Sequence, residues 1–249
     1  DPDLTHARER RPAGRGGAFV FPGAMIQTRI TDRLQWAPGL VTLKLEGSLE
    51  PFEAGQWTNL ALEIDGESVR RAYSLASAPG APPELFVSLV PGGRFTPRLL
   101  ELRAGDAIQI DPRPQGFFTL KWLPEAKELW MLATGTGIAP FVSILRQGEV
   151  FSRFERVVLV HGVRDESQLA YRDEIAGLGA KHLPAVSRAQ GRITALIERG
   201  ELDIDPARAH VMLCGNPAMI DEVSGMLEQR GLRKHRQRKP GHVTAESYW

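Results

Sequence analysis

A glycine-rich segment in the middle of the chain has the composition of a phosphate-binding loop. Residues 133–140 read Ala-Thr-Gly-Thr-Gly-Ile-Ala-Pro and stand between an apolar run that predicts a strand and a run that predicts a helix. Glycines let backbone N–H groups approach a pyrophosphate, and Pro140 suits the first helical turn, where its missing N–H costs nothing. This order of strand, loop and helix predicts a dinucleotide site.

Two segments in the first half of the chain carry further candidate anion ligands. Residues 70–74 read Arg-Arg-Ala-Tyr-Ser, which supplies a guanidinium for a phosphate, an aromatic ring for a flat cofactor and a hydroxyl. Residues 92–98 read Gly-Gly-Arg-Phe-Thr-Pro-Arg, a turn whose N–H groups can face an anion. The alternatives are a strand with exposed arginines and a packed tyrosine, and an ordinary hairpin turn.

Two segments in the second half also combine polar and aromatic residues. Residues 214–219 read Cys-Gly-Asn-Pro-Ala-Met and close a predicted parallel strand, at the end where such sheets bind ligands. Cys214 is either buried packing or a residue facing that cleft. Residues 241–249 end in Tyr248-Trp249, which predicts a tail packed on a flat surface; the alternative is a frayed terminus.

The elements that must position these segments fall into two groups. Short apolar runs separated by Gly, Pro and Asp predict an antiparallel β-barrel with one short helix at 97–102. Its strands are predicted at 26–30, 41–45, 57–62, 72–75, 85–90 and 107–110. After Pro124, strands at 129–133, 157–160, 183–186 and 211–214 alternate with helices at 140–147, 171–178, 193–199 and 217–229. That alternation predicts a parallel, Rossmann-like α/β sheet.

Length and composition limit the remaining possibilities. The 249 residues suggest two domains, expected at 25–123 and 124–249, and residues 1–24 are expected to be a tag remnant or a disordered extension. A net charge of +1 gives no field for nucleic acid. One cysteine excludes an internal disulfide, an iron–sulfur cluster or a cysteine zinc site within this chain. We expect a cytoplasmic monomer without a membrane span.

In this order and spacing, the five segments resemble the ferredoxin–NADP⁺ reductase family, and the bacterial flavodoxin/ferredoxin reductases in particular, from about Ile26 to Trp249. The resemblance implies an FAD-binding barrel followed by an NADP-binding α/β domain. Arg71, Tyr73 and Ser74 match the family's R-x-Y-S motif. By resemblance, Arg71 binds the FAD pyrophosphate, Tyr73 flanks the isoalloxazine and Ser74 lies near its N5.

The resemblance also implies the full sets of site residues. The FAD set is Arg71, Ala72, Tyr73, Ser74, Phe86, Val87, Ser88, Arg94, Phe95, Thr96, Thr134, Tyr248 and Trp249. The NADP set is Thr134, Gly135, Thr136, Gly137, Arg164, Arg188, Arg192, Cys214, Gly215 and Met219. Ser74, Cys214 and Glu246 are expected around the point of hydride transfer, where they position and polarise the reactants.

The three arginines bear on the choice of nucleotide. The 2′-phosphate of NADP calls for guanidinium groups, and the family places arginines at positions matching Arg164, Arg188 and Arg192. They predict a preference for NADPH of at least about a hundredfold, at roughly 1.5–3 kcal/mol for each charge-assisted contact. Two features depart from the family pattern: the acidic pair that directly follows Arg164, and a loop at 189–191 shorter than in some relatives.

The expected reaction moves electrons between NADPH and a one-electron carrier, ferredoxin or flavodoxin. FAD suits this role because a flavin exchanges electrons in pairs or singly. A cluster of cations at Arg230, Arg233, Lys234, Arg236, Arg238 and Lys239 is either a solvated helix end or a surface that steers an acidic carrier. Alternatives are a reductase of free flavin, the reductase component of an oxygenase, and a non-catalytic FAD-binding sensor.

Overall fold

The turn-punctuated first half of the chain forms an antiparallel β-barrel in a computed structural model that describes residues 24–248. Its strands are β1 (Ile26–Ala37), β2 (Leu40–Leu45), β3 (Trp57–Ile64), β4 (Glu67–Ser74), β5 (Glu84–Ser88) and β6 (Ala107–Ile110). They are hydrogen-bonded in the order β4-β3-β6-β1-β2-β5. A bridge between Leu75 and Leu85 joins the two ends of this order, which confirms the predicted barrel.

The barrel interior is filled by alternate residues of its strands. Leu43, Leu45 and Leu60 are fully buried there. The short helix α1 (Phe95–Glu101) covers one side through Phe95 and Leu99. Strand β1 is longer than predicted and reaches Ala37, because register shifts on its β2 side let it bend around the barrel.

The second half forms the predicted parallel α/β sheet, and its helices lie on both faces. The elements in chain order are β7 (Glu128–Thr134), α2 (Ala139–Gln147), α3 (Val150–Arg153), β8 (Arg156–Val163), α4 (Arg172–Leu178), β9 (Lys181–Val186), α5 (Ile193–Glu198), β10 (Ala209–Gly215), α6 (Pro217–Gln229) and β11 (Val243–Ser247). The strand order is β11-β10-β7-β8-β9. The apolar runs of the central strands are buried on both faces, as parallel sheets require.

The C-terminal segment is an element that the sequence did not predict. Residues 243–247, expected to be part of a tail, form the parallel edge strand β11 beside β10. In this register Cys214 lies opposite Glu246, and Gly215 lies opposite Ser247. The strand therefore carries the last described residues to the carboxyl end of the sheet, where the glycine-rich loop also lies.

The barrel and the parallel sheet share a continuous apolar core. Met131 and Ala133 of β7 belong to one buried cluster with Phe86 and Leu40 of the barrel. The intervening residues Trp130 and Leu132 point to the opposite face, toward α5 and α6. One face of the sheet is thus held against the barrel. Within residues 24–248, no helix has the length and apolar character needed to cross a bilayer.

Candidate functional site

A cleft of about 670 Å³ lies where the barrel meets the carboxyl end of the parallel sheet. The barrel and the parallel-sheet half both contribute walls. The lining residues are Trp57, Arg71, Ala72, Tyr73, Ser74, Phe86, Ser88, Val90, Gly93, Arg94, Phe95, Thr96, Thr136, Glu246, Ser247 and Tyr248. The volume lies within the range typical of ligand and cofactor pockets.

The end of β4 provides one wall of the cleft. Tyr73 packs beside Phe95, with ring centroids 6.1 Å apart, and burial raises the pKa of the Tyr73 hydroxyl. Ser74 is buried and is paired in register with Trp57 of β3. Arg71 stays exposed and donates to the backbone oxygen of Arg70 at 2.7 Å. Tyr73 and Ser74 are consecutive residues at the end of β4, and both line the cleft.

The turn between β5 and α1 provides a second wall. The Thr96 hydroxyl accepts a hydrogen bond from the backbone N–H of Val90 at 2.8 Å, which fixes the turn that Gly93 belongs to. Arg94 is exposed, and its guanidinium lies 3.0 Å from Glu67 and 3.8 Å from Asp65. The Val87 side chain is fully buried in the barrel core and does not line the cleft.

The glycine-rich loop after β7 is closely packed against the end of β10. A Cβ added to Gly137 would lie 2.4 Å from the Cys214 carbonyl oxygen, and one added to Gly215 would lie 2.3 Å from the Thr134 hydroxyl. The Thr134 hydroxyl accepts a hydrogen bond from the backbone N–H of Asn216 at 2.9 Å. Glycine is therefore required at both loops for their close approach.

A buried histidine supports this loop from below. His161 of β8 is fully buried, and its Nε2 lies 3.0 Å from the Gly135 carbonyl oxygen. Burial lowers the pKa of His161 to about 4, so the ring is neutral at physiological pH and donates through Nε2. Sequence reasoning missed this residue, because a lone histidine within an apolar strand carries no motif.

Cys214, Glu246 and Tyr248 come together at the carboxyl ends of β10 and β11. Cys214 is fully buried; burial, and secondarily Glu246, raises the pKa of its thiol well above the usual range. Burial raises the pKa of Glu246 to about 7. Tyr248 donates its backbone N–H to the Gly215 oxygen at 3.0 Å, and its hydroxyl to the Thr136 oxygen at 3.5 Å. The thiol is therefore a neutral packing group, while Glu246 can hold a proton near neutral pH.

Three of the predicted nucleotide residues lie away from the main cleft. Arg164 and Arg188 follow the adjacent strands β8 and β9, and the Arg188 N–H bonds to the Arg164 oxygen at 3.3 Å. Both are exposed, as is Arg192, the residue that precedes α5. A second cavity of about 320 Å³ lies here, and Arg188 is one of its lining residues.

Met219 and Trp249 differ from the other predicted residues. Met219 lies in the first turn of α6 and is packed in the core on the face that α5 and α6 cover. The Asn216 side chain caps this helix by accepting from the Ala218 N–H at 2.8 Å. Trp249 lies outside the described residues, as does nearly all of the expected N-terminal extension.

Four cleft residues lie outside the expected FAD, NADP and hydride-transfer sets, although Gly93 and Ser247 belong to the candidate segments 92–98 and 241–249. Trp57, Val90, Gly93 and Ser247 line the cleft, although they were not among the expected ligands. Trp57 reaches the cleft because β3 pairs with β4 in a register that places it opposite Ser74. The turn Asp65-Gly66 is a local hairpin signal, but the strands predicted at 57–62 and 72–75 stopped short of it, so this register was not predicted.

The basic cluster at 230–239 does not border the cleft. It lies between the end of α6 and the start of β11, and Arg230 donates to the Ile197 carbonyl oxygen. The cleft residues Glu246 and Tyr248 lie at the other end of β11, so a strand of about 16 Å, at 3.3 Å per residue, separates the two. This position favours the interpretation of the basic cluster as a solvated helix end rather than a surface that steers the carrier.

The cleft has the chemical character that FAD requires. Tyr73, Phe86 and Tyr248 provide aromatic surface for a flat ring system, and Arg71 and Arg94 provide cations for phosphates. Cys214 is fully buried beside Glu246, its partner in the β10–β11 register, and does not line the cleft. The residues present therefore fit the group.

Comparison with known proteins agrees with this geometry. Residues 36–119 match the oxidoreductase FAD-binding domain, and residues 131–225 match the oxidoreductase NAD-binding domain. The chain is 42% identical over 241 residues to a flavodoxin/ferredoxin–NADP reductase of Escherichia coli, a match covering 89% of this chain and 97% of the relative. It is 38% identical over 221 residues to a ferredoxin–NADP reductase of Azotobacter vinelandii, covering 78% and 86%.

A solved structure gives the same result in three dimensions. A ferredoxin NADP⁺ reductase from Neisseria gonorrhoeae, determined with bound FAD and NADP, superimposes with a TM-score of 0.85 at 31% identity. The match covers 90% of this chain and 98% of that one. The sequence motifs, the two-part cleft and these matches agree: the chain belongs to the ferredoxin/flavodoxin–NADP reductase family.

Proposed function

We propose that this chain transfers electrons between NADPH and a ferredoxin or flavodoxin through bound FAD. The observation that carries the proposal is the composition of one cleft. It is lined by Tyr73 and Ser74 from the barrel and by Thr136, Glu246 and Tyr248 from the parallel-sheet half. Family membership at 42% identity over nearly the whole chain supports the same activity.

The two halves have different roles in this proposal. Residues 25–123 form the FAD-binding domain, with Arg71 and Arg94 as ligands of the pyrophosphate. Residues 124–249 form the NADP-binding domain, where the loop at 134–137 offers backbone N–H groups to the nucleotide phosphates. Bound FAD supplies the chemistry that converts a hydride into single electrons.

The protein groups beside the reacting atoms position and polarise. Ser74 is buried at the cleft wall and offers a hydroxyl to a ring held there. Glu246 holds a proton near neutral pH, because burial raises its pKa to about 7. Cys214 packs as a neutral group beside Glu246 and does not line the cleft. None of them is placed to act as a nucleophile, which fits hydride transfer rather than group transfer.

The carrier and the setting are also part of the proposal. The carrier is an acidic ferredoxin or flavodoxin that docks near the cleft. The protein works as a cytoplasmic monomer, for which its one cysteine, buried and unavailable for crosslinking, gives support. Size-exclusion chromatography with light scattering tests the monomer, and a 27.5 kDa mass is expected.

The visible spectrum of the purified protein tests the proposal directly. We expect a yellow protein with one FAD per chain and no iron, whose flavin absorbance is bleached by NADPH under anaerobic conditions. Added ferredoxin or flavodoxin should restore the oxidised spectrum faster than free flavin does. Faster reoxidation by free flavin would favour a free flavin reductase, and a flavin that NADPH cannot bleach would favour a sensor.

A further inference from the structure

An ion pair occupies the region where the predicted nucleotide arginines lie. Arg188 donates through Nη1 to Asp165 Oδ1 at 2.7 Å. The Arg188 side chain is 67% exposed and that of Asp165 is 38% exposed, so the pair is accessible to a ligand. The two residues follow the neighbouring strands β9 and β8, which end at Val186 and Val163.

Local structure holds Asp165 in this position. Its carboxylate caps the short helical turn Glu166–Gln168 by accepting from the Gln168 backbone N–H. In return, the Gln168 side chain accepts from the backbone N–H groups of Arg164 and Asp165, at 3.1 and 3.2 Å. The carboxylate is thus fixed by a reciprocal cap and does not depend on Arg188 for its place.

The cavity at these residues has no excess of positive charge. Its charged lining residues are Arg172 and Arg188, and Asp165 and Glu166. Arg172 donates to Glu166 at 2.9 Å, so each guanidinium in the lining already has a carboxylate partner. A dianionic phosphate entering this cavity must displace or share these partners. An Arg188 without a carboxylate partner, by contrast, would attract it without competition.

We infer that Asp165 is a specificity-determining residue that lowers the preference of this enzyme for NADPH over NADH. The inference rests on the proposed function, because it assumes that the adenosine end of the nucleotide binds beside β8 and β9. Asp165 acts against NADPH by holding Arg188 in the ion pair, which leaves the guanidinium less free to bind the 2′-phosphate. It acts for NADH because a carboxylate after the second strand of such a sheet can accept a hydrogen bond from the ribose 2′-hydroxyl.

The test compares Asp165→Asn with the unmodified holoenzyme. Asparagine keeps the helix cap and removes the charge, so the fold is expected to be unchanged. The kcat/KM values for NADPH and NADH are measured with ferricyanide as acceptor. The ratio of NADPH to NADH should rise about two- to fivefold, as expected for release of an exposed ion pair. Asp165→Ser, which also keeps a capping oxygen, should give the same direction.

A binding measurement separates this inference from the proposed function. Calorimetric titration with 2′,5′-ADP and 5′-AMP reports on the adenosine site without any turnover. In Asp165→Asn the Kd of 2′,5′-ADP should fall about two- to fivefold, while that of 5′-AMP should stay the same or rise. If the protein fails to oxidise any nicotinamide, the proposed function is wrong, and these titrations still decide the role of Asp165.

Two controls make the result specific. Asp173→Asn removes an exposed negative charge from the first turn of α4, with no cation within ion-pairing distance among the described residues. It should leave the nucleotide ratio nearly unchanged, because Asp173 neither lines the cavity nor pairs with Arg188. In an Arg188→Gln background, Asp165→Asn should lose most of its effect on 2′,5′-ADP, since there is no guanidinium left to release.

Three outcomes would overturn the inference. The first is an unchanged nucleotide ratio and unchanged 2′,5′-ADP affinity in Asp165→Asn. The second is an equal rise in Asp173→Asn, which would assign the effect to net charge alone. The third is a full effect that persists in the Arg188→Gln background, which would show that the ion pair is not the cause.

Discussion

The hydroxyl of Tyr171 lies 2.7 Å from the hydroxyl of Thr42, and this hydrogen bond joins the parallel-sheet half to the barrel. Trp36 Nε1 donates to the same Thr42 oxygen at 2.9 Å. The Tyr171 ring contacts Trp36 and Phe86 of the barrel, with centroids 5.2 and 5.3 Å away. Tyr171 has a φ of 60°, a left-handed conformation that a tyrosine keeps only where its surroundings hold it.

A second contact between the halves is predicted to contribute more to stability than the Tyr171–Thr42 hydrogen bond does. Arg146 of α2 lies 3.1 Å from Glu84 of β5 and 2.6 Å from Glu174 of α4, and donates to the Ala76 oxygen at 2.9 Å. Arg146→Ala leaves the buried Glu84 carboxylate without a cation. It should lower the free energy of unfolding by about 3 kcal/mol, measured by urea unfolding at pH 7.

Glu174→Gln is the matched control for Arg146→Ala. Glu174 is 39% exposed, so losing this partner should cost less than about 1 kcal/mol. If both variants lose the same free energy of unfolding, the exposed Arg146–Glu174 pair, rather than the buried Glu84, accounts for the effect.

Much of the fold follows from local sequence patterns. The central strands β7, β8 and β10 were predicted because parallel strands buried on both faces read as continuous apolar runs. Helix α6 was predicted at its observed bounds, since Pro217 follows a capping asparagine. Strand β11 was missed because its half-buried edge residues show no comparable run.

The site was predictable only where its residues are close in sequence. Arg71, Tyr73 and Ser74 lie on one strand, so their motif survives in the sequence. The Asp165–Arg188 ion pair joins residues 23 positions apart, and it forms because β8 and β9 are neighbours in the sheet. The sequence showed that the acidic pair after Arg164 departs from the family pattern. It did not show that Asp165 of this pair binds Arg188.

Substitutions at two glycines are expected to have opposite effects. Gly137→Ala would bring a Cβ within 2.4 Å of the Cys214 carbonyl oxygen, so β10 or the loop must shift. It should lower stability by at least about 2 kcal/mol and weaken NADP⁺ binding.

Gly225→Ala is the matched substitution at an exposed position of α6. No atom lies within 4 Å of the new Cβ, so it should raise stability by about 0.5–1 kcal/mol. Thermal unfolding and NADP⁺ titration measure both, and a tolerated Gly137→Ala would contradict the close packing of the loop.

The raised pKa of Glu246 predicts a dependence of stability on pH. Burial raises it from 4.5 to about 7, so between these values the folded state binds more protons than the unfolded state. Stability is therefore lost as the pH rises from about 4.5 to 7, and the full cost is present above pH 7. Glu246→Gln should be more stable than the unmodified protein at pH 8.5, on the order of 2 kcal/mol, and nearly equal at pH 4.5.

Urea unfolding at the two pH values measures this difference. The exposed Glu228→Gln on α6 provides a control with the same chemical change, and no pH-dependent gain is expected from it. A gain for Glu246→Gln that is the same at both pH values would show that packing, rather than proton binding, causes it.

Tyr248 is the aromatic residue that we expect to limit nicotinamide binding. It lines the cleft, and its backbone and hydroxyl bond to Gly215 and Thr136, so its ring is held at the carboxyl end of the sheet. We propose that the ring lies against the isoalloxazine, in the place where a nicotinamide must bind, as the resemblance to the bacterial reductases implies. Part of the binding energy of NADPH then goes into moving the ring.

Tyr248→Ser removes this competing ring and keeps a polar side chain. NADP⁺ should bind more tightly and the preference for NADPH over NADH should fall, since the shared nicotinamide part now contributes to the binding of both. FAD should bind about three- to tenfold more weakly, because one stacked ring contributes about 0.5–1.5 kcal/mol. Tyr248→Phe keeps the ring and should behave like the unmodified protein.

Difference spectra with NADP⁺ and NAD⁺ measure the nucleotide affinities of the Tyr248 variants, and flavin fluorescence measures their FAD affinity. If Tyr248→Ser and Tyr248→Phe weaken or strengthen NADP⁺ binding equally, the hydroxyl and its bond to Thr136 matter rather than the ring, and the placement of the ring in the path of the nicotinamide is wrong.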